Sequence, residues 1–220
     1  MNRSLLLNPS LYLITDPRLA GDRSLCDIVG EAVQGGVSLV QIRDKQAEAR
    51  DLLEQTLALK QLLQPLGVPL VVNDRVDVAA AAAVGCHIGQ TDLPPRAARE
   101  ILGEDAIIGL SIDDPDQTPA ADPTHLDYVA HGPFASTGSK ADAGLPVGRE
   151  GMLRVRAQTA LPLVAIGGVD AINAEVAIKA GADGIAVISA IIGVGDVKAA
   201  AEQLKSTVDK SLAARKGTAA

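Results

Sequence analysis

Apolar residues fall in short runs along this chain, and the uncommon polar residues sit at the ends of those runs. Leu39-Val40-Gln41-Ile42 leads into Arg43-Asp44-Lys45, and Leu70-Val71-Val72 leads into Asn73-Asp74. Ile107-Ile108-Gly109-Leu110 leads into Ser111, and Val164-Ala165-Ile166 into Gly167-Gly168. Runs this short, rich in Val, Ile and Leu and closed by Gly, Pro or a polar residue, predict strands. Strands are expected over 11–15, 39–43, 70–73, 86–89, 107–111, 128–132, 163–168 and 184–189.

Between them lie segments of helix-forming composition, with apolar residues spaced for one face of a helix. These are 27–34, 47–63, 75–84, 95–102, 149–159, 173–180 and 197–214. Pro94-Pro95 suits a helix start. Gly67, Gly85, Gly103 and Gly181 sit where helices should stop. The fifth unit is weak, because Pro115, Pro119 and Pro123 leave room only for a short helix.

Regular strand–helix alternation argues for a parallel sheet, and eight units favour closure into a TIM (β/α)8 barrel. The expectation is a single domain, with the barrel over about 8–205 and a Lys- and Ala-rich tail over 206–220 that frays. An open doubly wound sheet is the alternative, but no GxGxxG follows the first strand. Gly193-Val194-Gly195 lacks the third glycine, and Gly138-Ser139-Lys140 has the wrong order for a P-loop. If the strands are parallel, all the polar run-ends share one rim, where such a barrel carries its active site.

Composition sharpens this picture. Of 220 residues, 47% are hydrophobic but only 1% aromatic, with no Trp. The core must be built from Val, Ile, Leu and Ala, which suits densely packed parallel strands. A formal charge of −7 with few aromatics argues against nucleic-acid binding, which draws on phosphate neutralisation and base stacking. Cys26 and Cys86 lack CxxC spacing and read as reduced thiols. The apolar run in residues 1–10 is too short for a signal-peptide core, and no stretch reaches membrane-spanning length. A cytoplasmic protein acting on small molecules is expected, with no membrane or nucleic-acid partner; assembly into a homo-oligomer is left open.

Gln41, Arg43 and Lys45 alternate onto one side of an extended chain. Arg43 can grip phosphate oxygens with paired donors and Lys45 adds a mobile point charge; pairing with Asp44 and Glu48 on an exposed edge is the plainer reading. Asp74 and Asp92 follow predicted strand ends. Two carboxylates near an anion-binding rim call for a bridging hard cation, and Mg²⁺ takes one or two carboxylates plus phosphate oxygens and water; helix capping would also explain each Asp alone. Thr137-Gly138-Ser139-Lys140 suits a phosphate or a solvated loop. Gly168 and Ile188-Ser189, at the ends of strands seven and eight, suit phosphate binding by backbone N–H groups, or tight turns. His87, His125 and His131 have no zinc-ligand spacing.

These residues resemble the thiamine-phosphate synthase family. The likeness is carried by LYLITD (11–16), QIRDK (41–45), VNDRVDVA (72–79), HIGQTDLP (87–94), GLS (109–111), IGGV (166–169) and GADGIAVISA (181–190), in the family's order. The resemblance implies a TIM barrel and a Mg²⁺-dependent transfer. The 4-amino-2-methyl-5-pyrimidinylmethyl group passes from its diphosphate to the nitrogen of hydroxyethyl-thiazole phosphate, giving thiamine phosphate and diphosphate. It further implies that Gln41, Arg43, Lys45, Asn73 and Ser111 hold the pyrimidine diphosphate, and that Asp74 and Asp92 hold the metal. Thr137, Gly138, Ser139, Gly168, Ile188 and Ser189 would hold the thiazole phosphate, and Lys140 the leaving diphosphate. Arg43, Lys45 and Lys140 are the expected catalytic cations. The loop from Gly132 to Lys140 keeps the family's length but shifts its aromatic, Phe134, by one position.

The charges suggest a dissociative path, in which the pyrimidine ring stabilises a cationic methylene while the departing diphosphate is neutralised. The thiazole nitrogen then attacks, and no strong general base is needed. The competing expectation is a thiazole tautomerase on the same barrel, with His131 moving the proton.

Overall fold

The structure is a computed structural model that describes residues 7–137 and 144–218. Eight strands appear in chain order: β1 (Leu11–Ile14), β2 (Leu39–Ile42), β3 (Leu70–Asn73), β4 (Gly85–Ile88), β5 (Ile108–Ile112), β6 (Tyr128–His131), β7 (Leu163–Ile166) and β8 (Gly184–Val187). Each pairs in parallel with the next, and β8 returns to β1 with Ile185 beside Leu11, so the sheet is a closed barrel. Its helices are α1 (Leu25–Gln34), α2 (Ala49–Leu63), α3 (Val76–Ala82), α4 (Pro95–Leu102), α5 (Gly148–Arg156), α6 (Ala174–Lys179) and α7 (Val197–Thr218). The TIM-barrel expectation holds.

Strand alternation sorts the core into two layers. Inward residues, among them Tyr12, Leu39, Val71, Ile107, Tyr128, Val164 and Ala186, fill the barrel. Outward residues such as Leu11, Leu13, Val40, Ile42, Val72, Cys86, Val129, Ile185 and Val187 pack against the helices. Nearly all are Val, Ile, Leu or Ala, as the composition required.

Three elements add detail to this picture. A one-turn helix, Pro17–Ala20, follows β1, started by Pro17 and capped by the Asp16 side chain accepting from the Arg18 amide. The fifth unit carries only a short helix, as its prolines predict, and it is a 3₁₀ helix, Pro115–Ala120. Pro115 and Pro119 lack N–H groups, and Asp114 with Gln117 forms a capping box at its start. The last helix is longer than its expected 197–214 bounds: α7 runs on to Thr218, with Leu204 and Val208 buried. Arg215 then donates to the carbonyls of Ile178 at 3.1 Å and Ala182 at 2.7 Å. Ala201, Leu204 and Val208 form a buried stripe at helical spacing. Among the described residues no helix is long and apolar enough to cross a membrane.

Candidate active site

The carboxyl ends of the strands carry two adjoining cavities. Gln41, Arg43, Lys45, Asn73, Asp74, Asp92 and Ser111 all line the first, so the residues expected around a diphosphate share one space. The second is about 430 Å³ and is lined by Thr137, Gly168, Ile188 and Ser189, with Ser111 common to both. Gly138, Ser139 and Lys140 lie outside the described residues.

In the first cavity the two acids face each other. Both carboxyls line the same cavity, and the pKa of Asp74 is raised by burial and then by the charge of Asp92. Lys45 offsets part of this, with its Nζ 3.6 Å from Asp74 Oδ2. Asp92 Oδ2 accepts from the Gly89 amide at 2.7 Å. Asp74 sits in the left-handed region at φ 62°, a conformation that Asp tolerates better than most side chains. Its amide donates to the His87 carbonyl at 2.8 Å, which fixes this turn against the neighbouring strand.

Two hard oxygen donors side by side fit Mg²⁺, which fills its remaining positions with water and substrate oxygens. Among the described residues there is no cluster of three or more His, Cys, Asp or Glu side chains able to hold a metal. Arg43 is set by its own amide donating to Thr15 Oγ1 at 2.9 Å. Its charge also helps hold Asp16 below the usual carboxylate range, although the main cause there is the hydrogen bond from Arg18.

The second cavity depends on glycine. Gly167 and Gly168 have φ of 84° and 64°, so β7 turns out of the sheet earlier than expected and exposes its backbone. A Cβ at Gly168 would stand 2.7 Å from the Ala135 carbonyl oxygen. No other residue type fits that position comfortably.

Several residues of the site escaped the sequence reading. Asp113 lines both cavities. Tyr12 and His87 line the floor of the first, and Tyr128 stacks beneath His87 with ring centres 5.5 Å apart. The signal that could have found them is parity. Tyr12 and Tyr128 are the only tyrosines among 220 residues, and both fall at inward positions of strands.

His131 does not reach the site. Tyr128 and Ala130 point into the barrel, so His131 points outward. Its Nδ1 donates to the Ile112 carbonyl at 2.6 Å, and its Nε2 faces Gly151 of α5. Burial is the main cause of its lowered pKa. The tautomerase reading required this ring at the mouth, and the strand register puts it on the other face.

A closed parallel barrel with a polar cavity at the carboxyl ends of its strands defines a (β/α)8-barrel enzyme. The family model described as thiamine monophosphate synthase matches residues 11–191. A thiamine-phosphate synthase of Azorhizobium caulinodans is 52% identical over 203 residues, covering 92% of this chain and 96% of that protein. One from Xanthobacter autotrophicus is 51% identical, covering 94% and 97%. The solved thiamine phosphate pyrophosphorylase from Pyrococcus furiosus superposes with a TM-score of 0.85 at 37% identity, over 94% of this chain and 99% of that one. The chain belongs to the thiamine monophosphate synthase family, and it is a transferase.

Proposed function

We propose that this enzyme joins the pyrimidinylmethyl group of 4-amino-5-hydroxymethyl-2-methylpyrimidine diphosphate to the nitrogen of hydroxyethyl-thiazole phosphate. The C–O bond to the diphosphate breaks with its electron pair leaving on the diphosphate, and a C–N bond forms to the thiazole. The observation that carries this reading is that Asp74 and Asp92 line one cavity together with Lys45 and Arg43, with Lys45 Nζ 3.6 Å from Asp74. An acid pair beside two cations suits a metal–diphosphate complex better than a free anion.

Mg²⁺ held by Asp74 and Asp92 would neutralise charge on the departing diphosphate. Arg43 and Lys45 bind its oxygens, joined by Lys140, and Ser111 and Asn73 add neutral contacts. Gln41 meets the pyrimidine edge. Thr137, Ser139 and the backbone at Gly168 and Ser189 hold the thiazole phosphate, so the nucleophile waits beside the methylene. A dissociative path follows, because this chain supplies charge stabilisation and orientation rather than a base. The reaction is assigned to the cytoplasm, supported by two unpaired thiols, Cys26 and Cys86.

The test is diphosphate release on mixing both substrates, with and without Mg²⁺. Release that needs both substrates and the metal is expected, and Asp92→Asn should cut turnover by about two orders of magnitude with folding intact. Equal turnover in a metal chelator, or in the Asp92→Asn enzyme, would overturn the metal assignment.

A further inference from the structure

Below the first cavity, five polar side chains form one continuous line of hydrogen bonds across the barrel. The Gln41 amide contacts the Tyr12 hydroxyl. Tyr12 and Tyr128 hydroxyls are 2.8 Å apart. The Tyr128 hydroxyl is 2.9 Å from His87 Nδ1, and His87 Nε2 is 3.0 Å from Ser111 Oγ. The line therefore begins and ends on two residues that line the cavity, and passes through two tyrosines with 0% exposure.

Proton counting limits what this line can do. Each hydroxyl carries one proton, and a neutral imidazole carries one N–H. Only two arrangements satisfy every link. In one, Gln41 donates to Tyr12, Tyr12 to Tyr128, Tyr128 to His87 Nδ1, and His87 Nε2–H to Ser111. In the other, the amide is flipped and every donor and acceptor is reversed. Any mixture leaves a link with two protons or none, deep in the barrel where an unmade hydrogen bond is expensive.

We propose that the line runs from Gln41 to Ser111, with His87 held as the Nε2–H tautomer, so that Ser111 turns its proton and Gln41 its carbonyl oxygen toward the pyrimidine diphosphate. This rests on the proposed reaction. A hydroxyl that shares its cavity with Arg43 and Lys45 serves an anion by donating to it, and the reversed line would spend the Ser111 proton on His87. Tyr128 is then a positioning residue, since it reaches the substrate only through its neighbours. Gly109 makes room for it, because a side chain there would occupy the Tyr128 ring.

The test is nitrogen NMR of the histidine rings in the unaltered enzyme. His87 should report the Nε2–H form. His131, whose Nδ1 donates to Ile112, should report the opposite form in the same spectrum and serves as reference. Tyr128→Phe should mix the two forms at His87. It should also raise KM for the pyrimidine diphosphate about threefold to tenfold while KM for the thiazole phosphate stays unchanged. Tyr12→Phe breaks the same line one link earlier and serves if Tyr128→Phe fails to fold. An Nδ1–H form at His87 in the unaltered enzyme overturns the proposal, as does a folded variant with both KM values unchanged. Diphosphate release by the same unaltered enzyme tests the reaction separately, so a wrong direction of the line and a wrong reaction give different results.

Discussion

Gly109 lacks a side chain because Tyr128 occupies that space. A methyl group at Gly109 would fall within the tyrosine ring, and neither β5 nor β6 can yield without breaking the barrel. Gly109→Ala should therefore lose about 1–3 kcal/mol of stability through overpacking, read as a lower urea midpoint. His131 gives a second residue-scale prediction, in pH. Its folded pKa is depressed by burial, partly offset by the Ile112 hydrogen bond and by Asp113 and Asp114, while Arg154 lowers it further. The unfolded chain protonates this ring below about pH 6.5, so there the unfolded state binds more protons. The contribution of His131 to stability is full above that pH and is lost as pH falls through the folded value. His131→Gln keeps an amide to donate to Ile112 and removes the titration. The drop in Tm between about pH 7.5 and about pH 5 should be smaller in the variant than in the parent. Equal drops would clear His131 of any part in the acid response.

At the scale of elements, the strands were legible because each is a short apolar run with a marked end. The acids and cations at those ends were legible for the same reason, since a strand that stops on Asn73-Asp74 or Gln41-Ile42-Arg43 announces its rim. Illegible elements were those set by tertiary contact. Nothing local to residues 206–218 tells a buried helix from a solvated one, because its apolar stripe is sparse and its partners lie in α1 and α6. Arg215 docks it, reaching two carbonyls and pairing with Asp183 at 2.6 Å. Asp183 in turn accepts from the Leu163 amide at 3.0 Å, so one carboxylate ties α7 to the amino end of β7. The ion pair is about a third exposed, so solvent screening shrinks its share and the carbonyl bonds matter more. Arg215→Ala should lower stability by about 1–2 kcal/mol. Turnover per folded molecule should not change, because this contact is at the barrel end opposite the cavities. Loss of kcat without loss of stability would place α7 in the mechanism instead.

The whole molecule carries a formal charge of −7, yet the proposed substrates are anions. Sequence order alone could not say whether Asp74 and Asp92, far from Arg43 along the chain, would meet it; closure of the eight-stranded sheet brings them to one cavity. That convergence sets an electrostatic problem. A free diphosphate entering the cavity gains Arg43 and Lys45 but meets an acid pair whose mutual repulsion already helps raise the pKa of Asp74. A divalent ion between the acids reverses the balance. Inorganic diphosphate should therefore stabilise the protein only together with Mg²⁺. At about a hundredfold excess over Kd, mass action gives about 2.7 kcal/mol, or a Tm rise of about 5–10 °C for a chain this long. In chelator the rise should shrink to a small fraction of that, and Asp92→Asn should show the small rise under both conditions. This measurement needs no turnover, so it separates metal-assisted anion binding from catalysis. A full rise in chelator would mean that the two cations alone overcome the acids, and the pair would then need a role other than holding a metal.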